Sequence, residues 1–515
     1  MKSTGADESS RGEASGRCVR LLEDAPVLAV IALTSLFHLS VLRGLFYGYA
    51  FAFHDLGIIT DWFTNAVYRG QPFWISDMAV NHLSVHFTPS LLLWTPAYLL
   101  SDSSAVLLLL SVLSVAVGLY EVHRLFLLAA AAARVDARWA VLASTLLTAI
   151  LALNPYLRTV LASAHVEVFY VPLALAFLRQ LLVGTRPAVL WILFALAVGV
   201  REEAALYLGA QCLAVLFLPR YWWRAGTSRK SLVFALLIVC GLYLVLIVKV
   251  VNPFVFGAVE NHVARGWSSW GSSWTSVVWE MATSPMRLLH EAGRSALLPL
   301  NGTFLFLPWF SAPFGALVSA PGLLLFASDR MDAKYLWYYH ASFLLPGLIL
   351  GTYAGALGLL RLARRLRLRN DRLKALYGLG VASAGVLALG VLIGGREWTP
   401  EAPAAYGNRF SERAFDEARF LRSWMKAHPE VRSAATDFRR LVYLPNRVER
   451  FLLRNADRAE VVFLFPEGDP FMSGSASMAG LRERFDADHA WVVREDSMGV
   501  RVYVRRSLET GPRGP

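Results

Sequence analysis

Long apolar runs recur from residue 25 to residue 393, and the shorter stretches between them hold most of the charge. A helix that crosses the roughly 30 Å hydrocarbon core of a bilayer needs about 17–25 such residues. Within that core every backbone amide must find its partner inside the protein, so helices and closed barrels are the spanning structures available. Composition agrees: 56% of the residues are hydrophobic and 17% charged, against about 25% charged in ordinary soluble chains. Sixteen Trp and thirty Phe add the aromatic load of a chain that meets a membrane interface. The expected fold class is a polytopic α-helical membrane protein.

Charge parity sets the number of crossings. Runs at 25–46, 104–130, 139–153, 168–183, 187–200, 204–218, 231–248, 296–311, 313–327, 340–360 and 375–393 make eleven spans. The 87–100 run is short and carries Pro89 and Pro96, so it reads as an interfacial or re-entrant helix. Residues 187–218 would make one helix about 48 Å long with three charges at mid-depth; a hairpin brings Arg201, Glu202 and Glu203 to the surface instead. Counted this way, the inner loops hold 14 Lys/Arg, seven of them between residues 361 and 374, and the longer outer loops before residue 395 hold nine. That positive-inside bias predicts an inner (plasma) membrane protein with a cytoplasmic N-terminus.

Residues 1–24 read as a disordered cytoplasmic tail, and 25–394 as the transmembrane domain, with a long outer loop at 47–103. Residues 395–515 read as a small extracytoplasmic α/β domain. A helix is expected there over 410–427, strands at 431–435, 441–444 and 461–465, and a hairpin joining 490–494 to 500–505. This domain holds 20 Lys/Arg against 18 Asp/Glu, so most of the net charge of +12 lies among the apolar segments, where it sets orientation. No nucleic-acid partner is expected. Three Cys exclude a disulfide framework, and no Cys/His spacing reads as a structural zinc site.

Polar residues gather in the outer loops, and such clusters at a membrane face are functional candidates. The first outer segment carries His54-Asp55-Leu56-Gly57, Asp61, Asn81-His82 and His86-Phe87-Thr88-Pro89. Later loops carry His165-Val166-Glu167, Arg201-Glu202-Glu203 and Tyr339-His340. Four loops presenting His, Asp, Glu and Arg to one face predict a shared cavity.

In that order the motifs resemble a prokaryotic membrane family, the domain of unknown function numbered two-zero-seven-nine. Its members show Asp-Leu-Gly, Asp-His-Phe-Ser-Pro, His-Pro-Glu-Val-Phe, Lys-Glu-Asp and Tyr-His motifs in sequence. This chain departs from them in placing Val166 for the proline, Val85 for the acid before His86, and Arg201-Glu202-Glu203 for Lys-Glu-Asp. The resemblance covers roughly residues 50–350. The family is similar in turn to the GT-C glycosyltransferases, polytopic enzymes that move a sugar from a polyprenyl-phosphate carrier on the extracytoplasmic face. That resemblance implies a transferase with Asp55 as general base and a substrate site formed by His54, Asp61, His82, His86, His165, Glu167, Arg201, Glu202, Glu203, Tyr339 and His340. It implies membrane lipid, a lipid-linked sugar donor and an envelope acceptor as partners.

The chemistry is compatible: a carboxylate deprotonates the acceptor hydroxyl, and a guanidinium receives the departing phosphate. His165 and Glu167 could hold a divalent metal or orient the donor. Each residue also has a plainer reading. Asp55 could cap a helix, and His82 and His86 could serve packing. One of Glu202 and Glu203 is expected to pair with Arg201. Trp267, Trp270, Trp274 and Trp279 read as an interfacial anchor or as a platform for a sugar ring. A transporter or flippase for a lipid or envelope glycan is the main rival. Transporters commonly show internal repeats and a mid-membrane site, and neither is legible here.

Overall fold

The computed structural model describes residues 6–48, 56–132, 135–184, 186–218, 229–255, 266–311, 314–336, 339–365, 411–466, 478–497 and 499–509. Helices make up most of the chain before residue 366, and a sheet appears in the C-terminal part. Among the described residues four helices are long and apolar enough to cross a bilayer: Asp24–Phe46, Ala105–Ala131, Val166–Val183 and Lys230–Val251. A fifth crossing results if Ala137–Ala152 and Pro155–Ala162, bent by 52° where they meet, count as one.

The other expected crossings are shorter than anticipated. Pro187–Val198 and Ala204–Val215 have 12 residues each, about 18 Å at 1.5 Å per residue. They form the hairpin expected around Arg201, but each half falls short of a full span. Leu345–Leu359 is likewise short. The runs 296–311 and 313–327 break into helices of five or six residues, with Pro308 and Pro321 at the interruptions. Eleven full-length helices are therefore not present among the described residues, and the 375–393 run lies outside them. The first helix starts at Ala6 rather than near residue 25. No proline precedes Pro26, and Glu, Arg and Ala favour helix, so the polar composition does not end it.

Ala105–Ala132 is the hub, packed against the first helix, Ala137–Ala152 and Tyr170–Val183. Leu119, Val122 and Leu125 are buried on it, whereas Leu109, Leu113 and Val117, spaced by four, form an exposed stripe. Residues four apart share a helix face, so this stripe is the side turned to lipid.

Residues 58–99 fold over one end of this bundle. They comprise the helix Ile58–Arg69, a two-residue ladder pairing Trp74–Ile75 with Val80–Asn81, and short helical turns from Pro89 to Leu99. The 87–100 segment does not span, as expected.

The C-terminal part is a mixed five-stranded sheet in the order 449–452, 433–436, 461–464, 500–505, 491–497; the first three strands are parallel and the last two antiparallel. The expected strand at 441–444 is instead the 3₁₀ turn Leu441–Tyr443, followed by Pro445. Its place in the sheet is taken by Glu449–Leu452, where charged residues obscure the apolar signal. The helix Met478–Ala487 also had no counterpart in the sequence reading.

This domain is anchored to the end of the bundle where the first helix finishes. Tyr443 donates to the Phe46 carbonyl at 2.8 Å. Arg450, fully buried, donates to Thr64 Oγ1 at 2.8 Å and to the Leu444 carbonyl at 2.8 Å. Asp77 accepts from the Leu452 amide at 2.9 Å and from Arg454 at 2.8 Å. A buried Asp and a buried Arg thus tie the sheet to the 58–99 cap.

Candidate functional site

Four chain turns meet at that same end. The first is the 3₁₀ turn His82–Ser84, capped by the Asn81 side chain, which accepts from the Leu83 amide at 2.9 Å. The second is Val166–Phe169, entered through Ala164 at φ 51°, a left-handed conformation uncommon for a residue with a side chain. The third is 201–203, between Pro187–Val198 and Ala204–Val215; just before it the Gly199 carbonyl accepts from the Ser90 amide at 3.0 Å, tying this hairpin to the Pro89–Trp94 segment that follows the first turn. The fourth is Tyr339 with the 3₁₀ turn His340–Phe343.

Arg201 stands at the centre, 7% exposed. Its Nη1 donates to Glu167 Oε1 at 2.5 Å, and its Nη2 donates to His86 Nε2 at 3.2 Å. Its Nε lies 3.0 Å from Glu203 Oε1 but points too far off that oxygen to count as a hydrogen bond. The guanidinium also lies over the Tyr339 ring, 4.9 Å from its centre. Arg201 therefore already has two carboxylates, and its fork is not an open phosphate grip.

The remaining contacts fix the imidazoles. His86 Nδ1 is 3.0 Å from Glu202 Oε1, and the other oxygen of Glu202 accepts from the Phe87 amide at 2.8 Å. Because Arg201 can only donate, His86 Nε2 must accept, so its proton sits on Nδ1 and points at Glu202. Glu167 Oε2 meets His165 Nδ1, and the His165 ring stacks on Tyr339 with centres 4.0 Å apart. The Glu167 carboxylate fixes the His165 ring through Nδ1, and Nε2 has no partner among the described residues. His82 stacks against Trp62, and its ring centre is 6.0 Å from that of His86.

Electrostatics set the charge of the cluster. Burial and then the Arg201 charge push His86 down to about 3; burial and then His86 do the same to His82. Both are neutral at ordinary pH. Burial raises Glu202 and Glu203, against the pull of Arg201. One guanidinium thus faces three carboxyl groups with neutral imidazoles between them. Such a site suits hydroxyls, protons and cations better than a second anion.

Most of the expected site residues are brought together: His82, His86, His165, Glu167, Arg201, Glu202, Glu203 and Tyr339 form the cluster. His340 packs beside Tyr339, ring centres 4.3 Å apart, and its Nε2 is 3.6 Å from Asp332, which is held by Arg330. Sequence reasoning missed Asp332 and Arg330, which belong to no motif. Asp61 is not part of the cluster. It is buried in the cap, accepting from the Ser76 amide at 2.6 Å, with Oδ1 unpartnered among the described residues and Arg450 as the cation that acts on it most strongly. His54 and Asp55 lie outside the described residues. Among the described residues no group of three His, Cys, Asp or Glu is disposed to hold a metal ion; His165 and Glu167 instead bond to each other.

The Trp residues divide. Trp267 and Trp270 turn inward, donating to the Leu324 and Ala327 carbonyls at 2.7 and 2.9 Å, while Trp279 is 70% exposed. Of these three, Trp279 is placed as an interfacial anchor would be, and the Trp274 side chain lies outside what is described.

Residues 49–389 fit the family model described as predicted membrane protein (DUF2079). The chain belongs to this family. The match takes in all four turns of the cluster and stops short of the C-terminal sheet. No curated protein and no solved structure matches the chain.

Proposed function

We propose that this DUF2079 protein is an integral-membrane glycosyltransferase of the GT-C type. In this reading it moves a sugar from a polyprenyl-phosphate donor to an envelope acceptor at the extracytoplasmic face. The observation that carries the proposal is the Arg201–Glu167–His165 chain: a buried carboxylate, held by a guanidinium, orients an imidazole whose Nε2 is left without a protein partner among the described residues. Around it stand aromatic faces and neutral imidazoles, the groups that receive sugar rings and hydroxyls.

His165 Nε2 orients the acceptor hydroxyl, and Asp55, carried over from the family motif, takes its proton. The acceptor oxygen bonds to the anomeric carbon as the bond from that carbon to the phosphate oxygen breaks, and polyprenyl phosphate leaves. Arg201 acts here by positioning Glu167 rather than by holding phosphate. This reading counts eleven crossings, the half-length helices and the 375–393 run among them, so that the cluster and the C-terminal domain face the extracytoplasmic side and the 395–515 region acts as an acceptor-facing domain.

The test is lipid-carrier profiling of a deletion strain. One polyprenyl-phosphate sugar should accumulate, and wild type but not Asp55→Asn should clear it, since general-base catalysis is worth about 10²–10⁴-fold. An unchanged carrier pool, or full rescue by Asp55→Asn, sinks the proposal.

A second reading, a proton-coupled transporter for a lipid or envelope glycan, is favoured by the excess of carboxyl groups and the raised Glu202 and Glu203. It requires substrate movement into sealed vesicles that depends on a proton gradient and is lost in Glu203→Gln.

A further inference from the structure

Arg158 is a basic residue that the candidate site does not use. It lies on Pro155–Ala162, the bent continuation of Ala137–Ala152, and is half-buried. Among the described residues its side chain has no hydrogen-bond or ion-pair partner. An arginine at membrane depth is ordinarily paired, because an isolated charge in hydrocarbon is costly. Elsewhere in the bundle this chain obeys that rule: Arg179 is bound by Glu121 and Arg201 by Glu167.

The depth follows from neighbouring contacts. The Ala152 carbonyl, at the bend, meets His38 Nε2 at 3.1 Å. His38 precedes Phe46, the end of the first helix, by eight residues, or about 12 Å. The 155–162 helix continues toward the 340–343 turn, against which it packs. Arg158 therefore lies within a turn or two of the bundle end that carries the C-terminal domain, at the boundary between acyl chains and head groups.

Among the described residues its surroundings offer no anion. His38 is the titratable group within electrostatic reach. The Thr159 hydroxyl is taken by the Pro155 carbonyl at 2.9 Å, and the Asn154 amide donates to Thr303 at 3.1 Å. Beside His38 the first helix turns Leu33, Leu36 and Phe37 outward, all exposed in a segment that crosses the membrane. An unpaired guanidinium next to a lipid-facing apolar strip matches a molecule with a phosphate at one end and hydrocarbon at the other.

We infer that Arg158 and the adjoining face of the first helix form a binding site for the phosphate of a lipid in the leaflet next to the C-terminal domain. Guanidinium and phosphate pair through two parallel hydrogen bonds, and the lipid chain runs along Leu33, Leu36 and Phe37. Two sources share this chemistry: the phosphodiester of a bulk phospholipid and the phosphate of a polyprenyl carrier. The inference does not depend on the transferase reading, because it concerns binding and not turnover.

The test titrates the purified full-length protein in detergent with polyprenyl phosphate, phosphatidylglycerol or phosphate-free polyprenol, reading bound lipid by native mass spectrometry. Wild type should hold at least one phosphate lipid about ten- to a hundredfold more tightly than polyprenol, the worth of charge-assisted hydrogen bonds. Arg158→Gln should reduce that lipid to the polyprenol level, and Arg158→Lys should fall between. Preference for polyprenyl phosphate names the carrier as the source; equal or stronger binding of phosphatidylglycerol names the bulk head group. Wild type holding polyprenol as tightly as both phosphate lipids overturns the inference, and needs no variant to fold. So does an Arg158→Gln protein that keeps wild-type phosphate-lipid binding.

Discussion

Replacing Glu167 with Gln separates its electrostatic role from its shape. The residue is 1% exposed, and its oxygens serve different partners, Oε1 accepting from Arg201 at 2.5 Å and Oε2 facing His165 Nδ1. Gln has one acceptor and one donor at these places. With its oxygen kept on Arg201, its amide N–H faces His165 Nδ1 and must donate to it, so the imidazole proton moves to Nε2. The flipped amide would set N–H against the guanidinium, donor against donor. Either way His165 loses its carboxylate partner or Arg201 loses one of its acceptors. An imidazole held in the wrong tautomer costs roughly 10⁴-fold in a Ser-His-Asp enzyme. In the proposed mechanism the hydroxyl proton goes to Asp55 and His165 only orients it, so the loss expected is about 10²–10³-fold. Stability should fall by about 1–3 kcal/mol, the worth of hydrogen bonds to charged groups, because Arg201 keeps Glu203. The assay is polyprenyl phosphate release in nanodiscs, run beside thermal unfolding followed by Trp fluorescence. Wild-type turnover in Glu167→Gln would refute the relay. A loss of turnover no larger than the loss of folded protein would make Glu167 a structural residue only.

Three further outcomes follow from the same contacts. Arg450→Met removes a fully buried guanidinium with Thr64 and several carbonyls as acceptors, and should cost about 3–5 kcal/mol; a thermal midpoint unchanged within error would show that this anchor does not hold the domain. Burial raises Asp61 from 3.8 to about 7, so the protonated form is the one folding favours. Its contribution is complete below the unfolded value and is lost as pH rises through about 7. The thermal midpoint should therefore drop between pH 5 and pH 8, with Asp61→Asn removing that component; an identical pH profile in the variant would contradict the assignment. Arg201→Lys keeps the charge but cannot reach Glu167, Glu203 and His86 together. It should lower turnover more than about tenfold while the protein still inserts, and a fully active variant would show that one point charge suffices.

The apolar runs made a helical membrane fold legible, since no other backbone arrangement for such runs satisfies its hydrogen bonds in lipid. Phe46, Ala105 and Val183 end or begin helices within two residues of where the runs end or begin. Patterns of charge alone named His82, His86, His165, Glu167 and Arg201 as one group. Hydrophobic length was a poorer guide at 187–218 and 296–327, where turns and prolines split apolar sequence into pieces too short to cross. In a soluble-like cap or a re-entrant pair, apolar residues bury against protein instead of lipid, and composition does not distinguish the two.

Pairing was beyond the one-dimensional pattern. Nothing local to Arg201 says that its fork is filled by Glu167, 34 positions away, rather than left open for phosphate. Nothing local to Arg158 says that its fork meets no acid among the described residues. The two arginines look alike along the chain, each in a loop between apolar runs, and their opposite states depend on which acids the packed helices bring within about 3 Å. Residue type and hydropathy are properties of single positions and short windows, so they carry the membrane class and the inventory of charges. The charge state of a site comes from distances between segments far apart in sequence, and those exist only once the helices have packed.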